Sequence, residues 1–206
     1  MRTAQEAKQF WDDRYSSGNY IYGTQPNRFF KEKIDELEPG RLLLPAEGEG
    51  RNAIYAAREG WHVDAFDISE KGRKKALELA KRNHVTLNYT LSTYQDFDIR
   101  DEHYDVLALI YAHLHVSNRR DIHQKFVEGL KAGGHLILEA FSKEQLGNDS
   151  GGPQDLEMLY DLDELLEDFE ELQIKHADTT EIELKEGMHH EGTANVIRML
   201  AMKPKG

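Results

Sequence analysis

From Arg41 onward, apolar and polar positions follow two alternating periods. Short apolar runs at Arg41–Pro45, His62–Phe66, Thr86–Leu91, Tyr104–Tyr111 and His135–Phe141 predict strands. Between them, Asn52–Glu59, Glu70–Asn83 and Asn118–Leu130 carry the three-to-four spacing of amphipathic helices. Strands separated by helices imply right-handed crossovers and a parallel sheet. Ahead of this rhythm, Thr3–Tyr15 and Asn27–Leu37 read as helices, the second ended by Pro39-Gly40. The stretch between them, Tyr15 to Pro26, is aromatic and broken by glycine and proline, so neither period fits it.

Beyond Phe141 the pattern changes. Ser142–Gly152 is a polar loop running into Gly151-Gly152-Pro153, and Asp161-Leu-Asp-Glu164 has capping-box spacing. The last two apolar runs, Leu172–Leu184 and Asn195–Lys203, are separated by only ten residues without a helical pattern. A parallel crossover needs roughly a dozen, so the two should pair as an antiparallel hairpin. The expectation is an α/β, doubly wound, mostly parallel seven-stranded sheet closed by that hairpin. At 206 residues it is expected to form one domain, with 1–38 a helical and aromatic lid and 39–206 the core.

Composition narrows the class. Apolar residues make up 39%, enough for a packed core together with 16 glycines, and no run is long enough to span a membrane. No export signal is recognisable and there is no cysteine, so thiolate metal sites and cysteine nucleophiles drop out and the cytoplasm is the expected compartment. The net charge of −12 arises between Asp155 and Glu191, with fourteen acids against two bases. Such a balance lacks the positive field on which nucleic-acid affinity rests. The basic run Lys71, Arg73, Lys74, Lys75 has the spacing of a solvated helix face.

In an open α/β sheet the ligand crevice lies outside the carboxyl ends of the strands. The first such turn reads Ala46-Glu47-Gly48-Glu49-Gly50-Arg51-Asn52, where Gly48-x-Gly50-x-x-Ala53 matches a dinucleotide-binding pattern. Such glycines serve equally well as tight-turn residues. Asp67, ending the second strand nineteen residues after Gly48, has the spacing of a carboxylate that accepts from ribose hydroxyls. Ser69 is the better cap for the helix that follows, which leaves Asp67 for a ligand. These residues specify an adenosine-containing ligand without choosing the cofactor. A nicotinamide-dependent oxidoreductase and a non-catalytic nucleotide-binding module both remain open.

Three further groups of residues carry a resemblance: Phe10-Trp-Asp-Asp-Arg-Tyr15 with Tyr20, Tyr22-Gly23 and Pro26-Asn27; Leu130-Lys-Ala-Gly-Gly134; and Gly151-Gly-Pro153 with Glu186-Gly187, His190 and Gly192. Together with the glycine loop, they make the chain resemble the class I S-adenosylmethionine-dependent methyltransferases. The likeness is stronger to the branch of tellurite-resistance and thiol-type small-molecule enzymes. It departs from that pattern at Leu44 and Ala46, where the class usually has an acid and a glycine.

The resemblance implies a Rossmann-like methyltransferase fold, S-adenosylmethionine as cofactor and a small soluble acceptor. Within it, Ala46, Glu47 and Gly48 with Gly50 would line the methionine portion and Asp67 would hold the ribose. Ile68 and Tyr94 would pack on adenine, with Thr93 and Gln95 beside it. Tyr111 would offer its backbone to the amine, and Arg14 would grip the carboxylate. Trp11, Tyr20 and Tyr22 would shield the sulfonium. His113, just past the fourth strand, is the candidate base, and His115 is its neighbour. Neither His113-x-His115 nor His189-His190-Glu191 has the helical spacing of a zinc protease motif, so no metal is expected.

Overall fold

In the computed structural model, which describes residues 2–205, the apolar runs become one seven-stranded sheet. The strands are β1 (Arg41–Pro45), β2 (His62–Asp67), β3 (Asn88–Leu91), β4 (Tyr104–Ile110), β5 (Leu130–Phe141), β6 (Gln173–Lys185) and β7 (Glu191–Met202). The helices are α1 (Ala4–Arg14), α2 (Arg28–Ile34), α3 (Arg51–Arg58), α4 (Glu70–Arg82), α5 (Val116–Glu128) and α6 (Leu162–Asp168). Spatial order is β3-β2-β1-β4-β5-β7-β6, with β1 to β5 parallel and β7 antiparallel to both its neighbours. This is the Rossmann-like methyltransferase fold with its closing hairpin.

The central strands are apolar on both faces because both are covered. Leu43, Leu107, Leu109, Leu136 and Leu138 point into one cluster with Ile122 and Phe126 of α5 and Leu165 of α6. The alternate residues Leu42, Leu44, Val106, Ala108 and Ile137 point into the other, against Phe30 and Ile34 of α2 and Ala53 of α3. From β1 the chain winds one way to β2 and β3, and the other way to β4 and β5. In open α/β sheets that reversal, here between the carboxyl ends of β1 and β4, is where a ligand is expected to lie. The residues that leave those two strands, Ala46 (φ 51°) and Tyr111 (φ 52°), are both left-handed. A glycine would take that conformation freely, whereas a residue with a Cβ pays roughly 1–2 kcal/mol.

Several boundaries differ from those the sequence suggests. Only Glu186–His190 separates the hairpin strands, because the ladder continues through polar residues, as where Thr193 Oγ1 donates to Glu183 at 2.6 Å. β5 starts at Leu130, pairing with Tyr104 before a register shift. Asp161 caps α6 as its spacing suggests, but the Glu164 carboxylate goes to Arg119 and Lys143. The basic run is only partly a solvated face: Lys75 pairs with Glu49, and Arg73 Nε donates to the Tyr89 carbonyl at 2.9 Å.

One side chain ties the segment before α2 to the sheet. Asn27 caps α2 by accepting from the Phe30 amide at 2.9 Å, while its Nδ2 donates to Glu139 Oε1 at 2.6 Å, inside the sheet. Asn27→Ala removes the cap and one donor from a fully buried carboxylate. It should lower the unfolding free energy by about 2 kcal/mol. A urea titration checks this, and an unchanged midpoint at constant slope would contradict it.

Candidate active site

A glycine turn and a carboxylate meet where β1 and β2 end side by side. The Gly48 amide donates to Asp67 Oδ2 at 3.0 Å, and the Ser69 amide to Asp67 Oδ1 at 2.7 Å. Burial pushes Asp67 up to about 6, against the pull of these amides. Ser69 caps α4 by accepting from the Gly72 amide at 3.0 Å. Cap and carboxylate are therefore separate residues. Of the roughly four acceptor sites of the Asp67 carboxylate, the Gly48 and Ser69 amides fill one on each oxygen, and the Ile68 amide also bears on it.

The neighbouring loop residues divide the work differently from expectation. Glu47 turns back to α3, where its Oε1 accepts from the Asn52 and Ala53 amides, each at 2.8 Å. It replaces the side-chain cap that Gly50, at the N-cap, does not have. Burial pushes Glu47 up to about 7. A Cβ on Gly50 would meet Ala76 and Ile54 at 2.7 Å, so this glycine is demanded by the packing of α3 on α4 rather than by ligand approach. A Cβ on Gly48 would meet Tyr15 Oη at 2.6 Å.

Tyr15 belongs to the clamp that α1 forms on this corner. Asp12 Oδ1 accepts from Ser69 Oγ at 2.6 Å and from the Lys71 amide at 3.1 Å, locking α1 to the helix that follows Asp67. Trp11 stacks on Tyr15 with ring centres 5.5 Å apart. Arg14 lies over Trp11 and donates to Tyr22 Oη at 3.0 Å. Outside the ends of β2 and β3 lies a cleft of about 520 Å³, lined by Lys8, Ile68, Thr93, Asp96 and Phe97 among others. Thr93 Oγ1 donates to Asp96 at 2.7 Å.

Across the crevice, the ends of β4 and β5 carry a second polar cluster. Glu139 accepts from Tyr111 Oη at 2.7 Å, from Asn27 Nδ2 and from Arg198 Nε at 2.6 Å. Glu186, at the hairpin tip, takes Arg51 Nη2 at 2.8 Å on the oxygen that also faces His190 Nδ1 at 3.4 Å. Burial works to raise Glu186, but His190 and Arg51 prevail and hold it at about 2. The Met188 amide donates to the Ile21 carbonyl at 3.0 Å, so the hairpin tip fastens the segment between α1 and α2.

Three expectations need correction. His113 offers no free nitrogen: its Nδ1 donates to the Met158 carbonyl at 2.7 Å, and its Nε2 accepts from the Phe141 amide at 3.2 Å. Burial pushes it down to about 4. Tyr94 is half-buried and packs against the core at Phe66 and Phe126. Gln95 is exposed and gives only its carbonyl, to Lys125 Nζ at 2.8 Å. Phe97 and Asp96, which no motif in the sequence singles out, line the cleft instead. Glu139 and Arg198 were also missed, although a charge inside an otherwise apolar strand is itself the signature of a buried pair. Tyr111 bends as its place at the strand end requires, and its amide is taken by the Glu139 carbonyl at 2.8 Å.

Residues 43–138 match the family described as a methyltransferase domain, a stretch that runs from within β1 through most of β5 and includes the Asp67 corner. Among characterised relatives, the ubiquinone biosynthesis O-methyltransferase of Rickettsia conorii is 27% identical over 114 residues, 55% of this chain and 39% of that protein. The corresponding protein of Rickettsia akari is 30% identical over 55% of this chain and 44% of its own length. The chain thus spans less than half the length of these relatives. In fold it is similar to TehB from Haemophilus influenzae, with TM-score 0.72 and 17% identity over 96% of this chain and 67% of that one. It is also similar to a protein whose structure concerns conversion of a disulfide into a thioacetal during echinomycin biosynthesis, with TM-score 0.74 and 14% identity over 97% and 93%. The segment carrying the glycine turn and Asp67 lies within the stretch that matches the methyltransferase-domain family, a class whose cofactor is S-adenosylmethionine.

The residues present fit that cofactor. Asp67 retains acceptor capacity for a ribose hydroxyl, and the adjoining cleft has the volume of a small-molecule site. Asp67→Ala should weaken S-adenosylhomocysteine by about 1.5–3 kcal/mol in calorimetry. Because the carboxylate is the better acceptor and titrates near 6 in the free protein, affinity should be level above that pH and decline as pH falls through it. A wild-type profile that is flat from pH 8 to 5, or an unaltered affinity in the variant, would reject the ribose role.

Proposed function

We propose that this chain transfers a methyl group from S-adenosylmethionine to a small soluble acceptor, working as one domain in which residues 1–38 cover a core of 39–206. The observation that carries the proposal is the Asp67 carboxylate bridging the Gly48 and Ser69 amides beside the cleft at Ile68 and Thr93. Asp67 holds the ribose hydroxyls. Ile68, Thr93 and Phe97 border the adenine, and Asp96 supplies through Thr93 the polarity that the third strand end otherwise lacks. Ala46 and Gly48 present backbone to the methionine portion, with the Tyr111 carbonyl opposite. Arg14, which commits one donor to Tyr22, has further N–H groups for a carboxylate. Trp11 and Tyr22 present aromatic faces suited to a cation.

When bound, the cofactor supplies an electrophilic methyl on a sulfonium with a neutral leaving group. The chain's largest task is then positioning, since holding two reactants in line supplies up to about 7–11 kcal/mol of a barrier. The α1 clamp and the hairpin tip do this from opposite sides of the crevice and exclude water between them. Tyr22, Tyr111 and Phe141 give the acceptor space aromatic walls. Such walls suit a soft nucleophile, and we place the acceptor among thiols and chalcogen oxyanions, in keeping with the fold likeness to TehB and with the aromatic segment Phe10–Pro26. Among the described residues no helix is long and apolar enough to cross a membrane, and the acceptor is taken to be met in the cytoplasm.

An acceptor panel of thiols, phenols, selenite and tellurite, assayed by formation of S-adenosylhomocysteine, tests this reading. Turnover is expected with at least one soft nucleophile and should exceed that with phenols. Binding of the cofactor with no turnover on any acceptor would favour a non-catalytic module.

A further inference from the structure

The hairpin tip holds a titratable pair that the positioning role leaves unexplained. His190 is buried, yet only its Nδ1 faces a protein partner, the Glu186 carboxylate at 3.4 Å. An ionised carboxylate only accepts, so this contact puts the proton on Nδ1 and leaves a lone pair on Nε2. Glu186 is itself fixed by Arg51 at 2.8 Å and by Asn27 Nδ2 at 3.1 Å. The imidazole is caged by Tyr22 (4.5 Å between ring centres), Tyr111 (4.6 Å) and Phe141 (5.3 Å). The loop Ser142–Gly152 closes the ring's edge, because a Cβ on Gly151 would lie 2.7 Å from His190 Cδ2. Three separate segments therefore converge to orient one side chain.

We propose, resting on the methyltransferase reading above, that His190 is the proton-accepting catalytic residue, that Glu186 on Arg51 is its positioning residue, and that the acceptor therefore arrives protonated, as a thiol or hydroxyl. In the step, the acceptor's sulfur or oxygen forms its bond to the methyl carbon as the bond from that carbon to the sulfonium sulfur breaks. The sulfur keeps that electron pair and leaves as a neutral thioether. The acceptor's proton passes to His190 Nε2, and the resulting imidazolium is held by Glu186 until the proton is lost to water. An acceptor that arrives already ionised, such as an oxyanion, needs none of this.

The groups facing the imidazole are Glu186 from the hairpin tip, Arg51 from α3, Tyr22 from the lid, Tyr111 and His113 from the end of β4, and the adjacent His189. Burial and Arg51 lower His190 from the usual histidine value, while Glu186 opposes them. The ring is thus neutral, and able to accept, at neutral pH.

Two measurements decide the matter. Nitrogen-15 histidine spectra of the wild-type protein should show His190 as the neutral Nδ1-protonated tautomer at pH 7.5, and Glu186→Gln should shift that tautomer balance. A ring protonated on Nε2 at that pH would overturn the proposal without any variant. With a thiol acceptor, His190→Asn should lose about 100-fold or more in kcat below the thiol's own pKa. The deficit should shrink as pH rises past that pKa, a dependence that a merely structural role would not produce. Glu186→Gln should lose less, with the same trend. Should His190→Asn not fold, Gly151→Ala is the second variant, expected to lower kcat with the same pH trend by displacing the ring. Cofactor-competent wild-type enzyme whose variants match it at every pH would refute the base and leave the methyltransferase reading intact. A wild type that binds no S-adenosylhomocysteine would refute that reading first.

Discussion

Buried carboxylates at the carboxyl ends of the strands impose the constraint around which this molecule is arranged. An ionised group away from water is tolerated only with partners, and each of Glu47, Asp67 and Glu139 draws donors from elsewhere in the chain. Glu47 takes the first amides of α3, and Asp67 takes the turn amides of Gly48 and Ser69. Glu139 takes a lid asparagine, the tyrosine that follows β4 and an arginine from β7. Satisfying Glu139 ties the segment before α2 and strand β7 to the sheet. The polar cluster and the enclosure of the site are one arrangement.

The two sides of the crevice solve the problem differently. Around Asp67 and Glu47 the donors are mainly neutral amides, burial prevails, and the carboxyl groups are held above their ordinary values. Folding therefore takes up protons there: the ionisation of Asp67 and Glu47 costs stability in full above about 6 and 7 respectively, and that cost declines as pH falls below those values and is gone only below their ordinary values of 3.8 and 4.5. Glu186 has a guanidinium beside it and is held near 2, so its contribution is present above the usual value of 4.5 and is lost as pH falls toward 2.

Much of the fold was legible because period and length agree in this chain. The apolar runs Leu42–Pro45 in β1 and Val106–Ile110 in β4 could only be covered strands, and the short link between β6 and β7 excluded a crossover. The hairpin's full length was hidden because edge ladders pair through the backbone and tolerate polar side chains. At the site, Asp67 and Gly48 were readable from spacing, whereas the role of Gly50 was not: only the packed structure shows Ala76 and Ile54 where its Cβ would stand. His113 departs from its expected role for a related reason. Proximity to the strand end was visible in sequence, but the Met158 carbonyl that occupies its nitrogen comes from 45 residues away. The Glu186–Arg51 pair spans 135 residues and leaves no local pattern.

The central claim is that the Asp67 corner seats an adenosyl sulfur cofactor. Calorimetric titration of the purified protein with S-adenosylhomocysteine and, separately, with NADH tests it most directly. The account predicts saturable, stoichiometric heat with the first and none with the second. Stoichiometric binding of NADH with no response to S-adenosylhomocysteine would contradict it.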